Sequence, residues 1–427
     1  MTATHDRPET MTSFLVLWTG QALSLLGSQA VQFALIWWLT QQTRSAAVLA
    51  MAALLGLLPF VVLGPVIGVL VDRWDRKRVM LVADGLVALA SGVLAYLYFA
   101  GAETTGTVFL ILALRGLGGA FHGPAMVAST SLMVPDKHLT RIQGLNQMLQ
   151  GGITIVAAPL GALLLALLPM AGVMLVDVGT ALFAIVPLAF IQVPRPSRSA
   201  GAAGEAAASL WAEMIAGFRY LAERKGHLSL IVMAALINMC LVPAFSLLPL
   251  LVSAQLGGDA LELGWMTSGF GIGTIAGGII LGIWGGFRRR ILTALSALVG
   301  LGLAVAALGL APAYGFAIAA MLVVGLIAPF ANGPIQAILQ ATIAPDYQGR
   351  VFTLVGSLAA ATAPLGLLLA APVAEMVGVR AWYVTGGLVC LSMGVAGFLL
   401  PSLMRIEESP EGDGEETPYD RQVSAEH

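Results

Sequence analysis

Arg115 and Asp177 each stand inside a long apolar run, in a chain of 427 residues of which only 10% are charged. A charge within a bilayer is costly and persists where it is paired or functional. An arginine does not titrate in the ordinary range, so Arg115 would bind an anion or hold a carboxylate. Asp177, one to two turns into its own run, lies at a depth to be that carboxylate. Two roles stay open for it: a group that exchanges protons, or a structural partner or watered outer edge. Asp84 follows Arg78 by six residues, and its expected reach is back to that basic stretch. Gln21, Ser24, Ser28 and Gln32 recur at i, i+3, i+7 and i+11, one face of a helix. With His122, Asn146, Gln150, Asn238, Ser246, Asn332, Gln336 and Gln340 in other runs, they are candidates for a substrate path. Hydrogen bonding between helices is the alternative. Few acids lie at mid-depth, so an organic-cation site built on a buried Glu is not evident. A largely apolar cavity for bulky amphiphiles fits better.

These side chains require helices to carry them. A hydrophobic fraction of 58% exceeds the roughly 45–50% of soluble chains, and a span must be a helix or a closed barrel. Twelve runs are near the length of about 20 residues that a helix needs: 14–39, 46–71, 79–100, 105–132, 142–168, 170–192, 228–254, 260–286, 291–310, 313–342, 351–376 and 380–404. Between the second and third, Asp72-Arg73-Trp74-Asp75-Arg76-Lys77-Arg78 packs six charges into seven residues. Such a stretch must be a water-facing turn. Of the 21 Lys and Arg, 18 fall on the side shared by the termini and the even-to-odd loops, which predicts that both termini are cytoplasmic.

The expected organisation is a cytoplasmic N-terminus over 1–13, a six-helix bundle over 14–192, a cytoplasmic linker over 193–227, a second six-helix bundle over 228–404 and an acidic tail over 405–427. The linker is Pro-, Gly- and Ser-rich to 208. Trp211, Met214, Ile215, Phe218 and Leu221 then take helical spacing, as in an amphipathic helix. The tail holds eight acids to one Arg after Arg405 and is expected to be disordered. Cys240 and Cys390 sit in apolar runs without ligand spacing, and the five His form no cluster. Neither a metal nor a cofactor is therefore expected. The Gly-rich stretch 269–278 lacks the Lys-Ser/Thr of a phosphate loop, so no nucleotide-hydrolysing engine, and no enzyme, is indicated.

The halves repeat. Gly123-Pro124, ten residues, then Pro135-Asp136 recurs as Gly333-Pro334, ten residues, then Pro345-Asp346. Ala158-Pro159-Leu160-Gly161 recurs as Ala363-Pro364-Leu365-Gly366. Two parallel halves can rock about a shared interface and expose a midplane site to each side in turn.

Twelve spans, the duplication and the loop GVLVDRWDRKR resemble the major facilitator superfamily, whose signature between spans two and three is Gly-x-x-x-Asp-Arg-x-Gly-Arg-Arg/Lys. Gly68, Asp72, Arg73, Arg76 and Lys77 match it, and Asp75 replaces the second Gly. That replacement, with PDYQGRVFTL at 345–354, FHGPA at 121–125 and the Asp177 opening of span six, resembles the drug:proton antiporter branch that includes macrolide and siderophore exporters. The resemblance implies that Asp72 latches the halves against the amino terminus of span eleven, where a carboxylate gains ~0.3–1 kcal/mol. Arg73 and Arg76 would hold acids such as Asp136. A loop that only sets topology is the alternative. Span eight ends in Gly285-Gly286-Phe287-Arg288-Arg289-Arg290 with no matching Asp, so the latch should be one-sided. Arg115-Gly116-x-Gly118-Gly119 resembles the family's span-four motif, implicated in proton transfer. Related exporters often carry an Arg where Val87 stands, and the span-five antiporter signature is reduced to Ala158-Pro159-Leu160-Gly161-Ala162. Packing is its favoured role.

The expected protein is thus an all-α secondary transporter of the inner or plasma membrane with twelve transmembrane helices in two pseudo-repeats. It would export hydrophobic or amphiphilic small molecules by alternating access coupled to protons. The expected partners are that substrate, protons and the lipid bilayer, without nucleic acid, and a monomer is expected. The alternatives are a lipid or siderophore carrier on the same fold, or a receptor or scaffold that has lost transport.

Overall fold

The computed structural model describes residues 11–191, 193, 218–219, 224–343 and 345–408. Among them are twelve helices long and apolar enough to cross a membrane. They are α1 (Met11–Thr43), α2 (Ala46–Arg73), α3 (Arg76–Ala100), α4 (Thr105–Met133), α5 (Asp136–Leu167), α6 (Met170–Phe190), α7 (Lys225–Ser246), α8 (Ala260–Trp284), α9 (Arg290–Gly309), α10 (Tyr314–Thr342), α11 (Pro345–Met376) and α12 (Val379–Leu399). The described residues contain no strand.

Local chemistry sets the ends. Ser45 accepts from the Val48 amide at the start of α2, Asp75 does the same for Arg78 at the start of α3, and Thr104 and Asp259 open α4 and α8 with capping boxes. The cap on α3 explains why Asp75 replaces a glycine of the loop signature. Gly101, at φ 64°, closes α3 in the left-handed region. Helices α5 and α11 begin six residues before the expected runs, at Asp136 and Pro345. Their first turns are polar, and hydropathy registers only the apolar part of a helix. Helix α7 ends early, at Ser246, and the chain goes on as a short turn over Leu248–Leu250 and a π-helical turn over Leu251–Gln255. Pro249 in that turn, and Pro243 just before it, lack the amide hydrogens that a straight helix would use. The expected linker and amphipathic helix, and the tail beyond 408, lie almost wholly outside the described residues.

The two halves repeat in space. In the first, α1 packs on α5 and α6, α3 on α4 and α6, and α2 on α4; in the second, α7 packs on α11 and α12, α9 on α10 and α12, and α8 on α10. The halves meet along two seams, α5 with α8 and α2 with α11. Pro159 contributes to the first seam by what it lacks. Without an amide hydrogen it leaves the carbonyl of Ile155, one turn back, unbonded in α5. Ser268 of α8 donates its hydroxyl to that carbonyl at 2.5 Å.

The apolar core is uneven along the bundle axis. One face carries the basic loops, such as α2–α3, and is here called the basic face. Toward the opposite face a single cluster joins both halves, with Val31, Leu35 and Leu49 from the first and Leu251, Met266 and Ala374 from the second. Toward the basic face the clusters formed by the described residues separate. One, around Leu230, Leu295 and Ile338, is wholly in the second half; two others, around Met80 and Leu188 and around Phe14 and Ile142, are wholly in the first.

Candidate substrate and ion-pair site

Helices α4 and α6 bring Arg115 and Asp177 together, 62 residues apart in sequence, as an ion pair between Nη1 and Oδ2. Asp177 is fully buried and Arg115 nearly so. Neither charge relies on its partner alone. Ser28 of α1 donates to Asp177 Oδ1 at 2.7 Å and Ser91 of α3 to Oδ2 at 2.5 Å. Arg115 Nη1 also donates to Ser91 Oγ at 2.8 Å, and Nη2 to the Ser28 carbonyl at 3.0 Å. Four helices thus share the cost of desolvating one buried pair, with Arg115 Nε left without a partner among the described residues. The watered-edge reading of Asp177 is excluded by its burial.

A second network lies nearer the basic face. Gln21 of α1 donates Nε2 to Asp84 Oδ2 of α3 at 2.9 Å. Its Oε1 faces His122 Nε2 of α4 at 2.9 Å, and the same nitrogen lies 3.4 Å from Asp84 Oδ1. With two oxygens before it, Nε2 carries the hydrogen. The expectation that Asp84 reaches back to the basic loop is therefore corrected. Asp84 is the ninth residue of α3, and its helical phase turns it to α1 and α4, away from the loop.

Both networks border a cavity of about 490 Å³. Gln21, Ser24, Ser28 and Gln32 line it from α1, Asp84 from α3, and Arg115 and His122 from α4. Leu25, Leu57, Phe60 and Val87 supply apolar wall, and every lining residue belongs to the first six helices. The lining is mostly apolar, with Leu, Ala, Val and Phe side chains outnumbering polar ones, and it does hold an acid. Asn146 accepts from Trp18 Nε1 at 2.8 Å, which is the helix-to-helix alternative. Asn238 and Asn332 bond to carbonyls of their own helices, and Gln150 and Gln336 are exposed.

The charged loop fastens the first half at the basic face. Arg76 donates to the Ala128 carbonyl at 2.9 Å and Lys77 to the Ala189 carbonyl, at the end of α6, at 2.7 Å. Cations near helix carboxyl ends are favourable there. Trp74 stacks on Phe121 with ring centroids 6.2 Å apart. Gly68, Asp72 and Arg73 form the end of α2, but the side chains of Asp72, Arg73 and Asp136, on which the latch rests, lie outside the described residues.

Residues 4–423 match the family described as transmembrane secretion effectors of the major facilitator superfamily. The chain belongs to that family. It is 34% identical over 400 residues to macrolide efflux protein A of Streptococcus pyogenes, covering 92% of this chain and 97% of that one. It is 27% identical over 420 residues to the multidrug efflux pump Tap of Mycolicibacterium fortuitum, covering 95% and 99%. A bacterial homologue of the human lysosomal transporter Spinster shares the fold, with a TM-score of 0.64 at 13% identity over 94% of this chain and 98% of that one. The protein is accordingly a multi-pass membrane transporter and not an enzyme.

Two participants of this transporter's site escaped the sequence reading. Ser91 follows Asp84 by seven residues, two helical turns on the same face of α3, and that spacing in an apolar run was the available signal. Glu375, at the end of α11, accepts from Ser45 Oγ at 2.8 Å and from the Ala47 amide at 3.2 Å. It joins the second half to the first turn of α2 at the face opposite the basic loops.

Proposed function

We propose that this protein exports hydrophobic or amphiphilic small molecules, macrolides among them, by alternating access coupled to protons, from an inner or plasma membrane with both termini in the cytoplasm. The observation that carries the reading is the uneven core: among the described residues it is continuous across the halves at one face and divided at the other. With the basic face inside, that is a bundle sealed outside and parted inside, the state in which substrate would enter from the cytoplasm. The names of the relatives support efflux as the direction and macrolides as one substrate class. Asp72 would latch the halves when the basic face closes, and the Gln21-to-Gln32 face of α1, with His122, would guide the substrate.

The test is the retention of fluorescent amphiphiles and macrolides by cells stripped of their own exporters, with the intact protein and with Asp72→Asn, before and after a protonophore. Lower retention that the protonophore restores is the expected result, with slower export by Asp72→Asn at equal abundance. No difference for any compound, with the protein in the membrane, would remove the proposal and favour a lipid or siderophore carrier.

Alternation also requires the sealed face to open, and there Glu375 acts as a clasp. A carboxylate that accepts from a helix's first amides contributes about 1 kcal/mol. Glu375→Ala, which removes the accepting oxygen, is therefore expected to shift the ratio of sealed to open states roughly fivefold toward open. Distances between spin labels on the α1–α2 and α11–α12 loops would report it, and an unchanged distribution would dismiss the clasp.

A further inference from the structure

We infer that Asp84 is a recognition site for the cationic group of substrates, so that this transporter accepts amphiphilic organic cations through a contact that neutral amphiphiles do not use. The inference rests on the export reading and narrows its substrate class.

The two buried acids of the first half differ in what neutralises them. Asp177 is closed on all sides by Arg115, Ser28 and Ser91 and does not line the cavity. Asp84 lines it. Its partners are the neutral amide of Gln21 and the imidazole of His122. Among the described residues no Lys or Arg pairs with it. The elements around α3 offer nothing further: α4 turns His122 to it but commits Arg115 to Asp177, α6 offers only Asp177, α1 offers Gln21, and residues 46–71 of α2 hold no titratable group.

A carboxylate held this way has a permanent place for a positive charge and no resident owner. His122 approaches Oδ1 only to 3.4 Å, longer than a charge-assisted bond of about 2.7–2.9 Å. Its side chain is 25% exposed, so it can turn aside. An ammonium group that takes its place gains a charge partner at low local dielectric. Phe60 and Leu57 of α2 and Leu25 of α1 line the same cavity and can hold the apolar body. The volume of about 490 Å³ suits a drug-sized molecule.

The test uses a pair of dyes that differ by one charged group, diphenylhexatriene and its trimethylammonium derivative, with the full-length protein in nanodiscs. Asp84→Asn is expected to lower affinity for the cationic dye at least about tenfold, as loss of a buried charge partner does, and to leave the neutral dye unchanged. Asp84→Glu should restore most of the cationic binding. Wild-type affinity of Asp84→Asn for the cation would overturn the inference, as would an equal loss for both dyes, which marks general damage to the cavity. Should export of other amphiphiles proceed while the cationic dye ignores Asp84, the inference alone fails. Should the intact protein bind neither dye and lower the retention of no compound in cells, the export reading fails with it.

Discussion

Arg115→Ala is expected to destabilise the protein by about 3–5 kcal/mol, the usual cost of leaving one buried charge without its partner. Asp177 has no exposed surface, and two hydroxyls remain to it once the guanidinium is gone. Hydroxyls do not neutralise a charge. Because Arg115 also bonds the carbonyl of Ser28 and the hydroxyl of Ser91, its loss loosens α1 and α3 together. The double variant Arg115→Ala with Asp177→Asn removes both charges, so its loss should be smaller than that of Arg115→Ala alone. Survival of the monodisperse protein after heating in detergent measures each step. A stability of Arg115→Ala equal to wild type would show that the pair does not support the fold. The single variant Asp177→Asn tests proton exchange at this site. If this acid titrates, Asp177→Asn stops proton-driven accumulation and spares downhill exchange; loss of both, or of neither, denies it that role.

Gly161→Ala and Gly366→Ala are expected to cost about 1–3 kcal/mol each through overpacking. In a helix, Gly to Ala ordinarily gains about 0.5–1 kcal/mol, so the sign itself is diagnostic. A β-carbon at Gly161 would strike the Ala30 carbonyl of α1 and stand 2.8 Å from the Phe33 ring; one at Gly366 would strike the Met239 carbonyl of α7 and stand 3.0 Å from Pro243. The backbone of a packed neighbour cannot step aside as a side-chain tip can. Gly152, with nothing within 4 Å of such a carbon, is the control, and Gly152→Ala should hold or gain stability. Equal melting of all three variants would contradict the close approach. These two glycines also give the repeated Ala-Pro-Leu-Gly its use: in each half it lets the fifth helix close on the first.

The glycines show how far the sequence could be read. The repeated motif marked both sites and favoured packing, while the partner helix came only with the structure. The likeness of the halves also hides a division of labour. The offset that aligns Gly123-Pro124 with Gly333-Pro334 sets Gly325 opposite Arg115, and Gly325 packs against the Phe270 backbone. The first half keeps the ion pair, and the second keeps a close contact at that place.

Twelve spans, the basic loops, the duplication and a charge at Arg115 within the bilayer were determined by the sequence alone. Each depends on transfer from water to lipid or on the period of one helix, terms that add along the chain without reference to distant residues. The tertiary structure alone decided that Asp84 turns to Gln21 and His122, that Ser91 completes the Arg115 pair, that Glu375 clasps α2, and that one cluster joins the halves at the face opposite the basic loops. Those pairings join helices up to 330 residues apart. They depend on how each helix is rotated about its axis and how deep it sits, and small-residue packing between helices sets both.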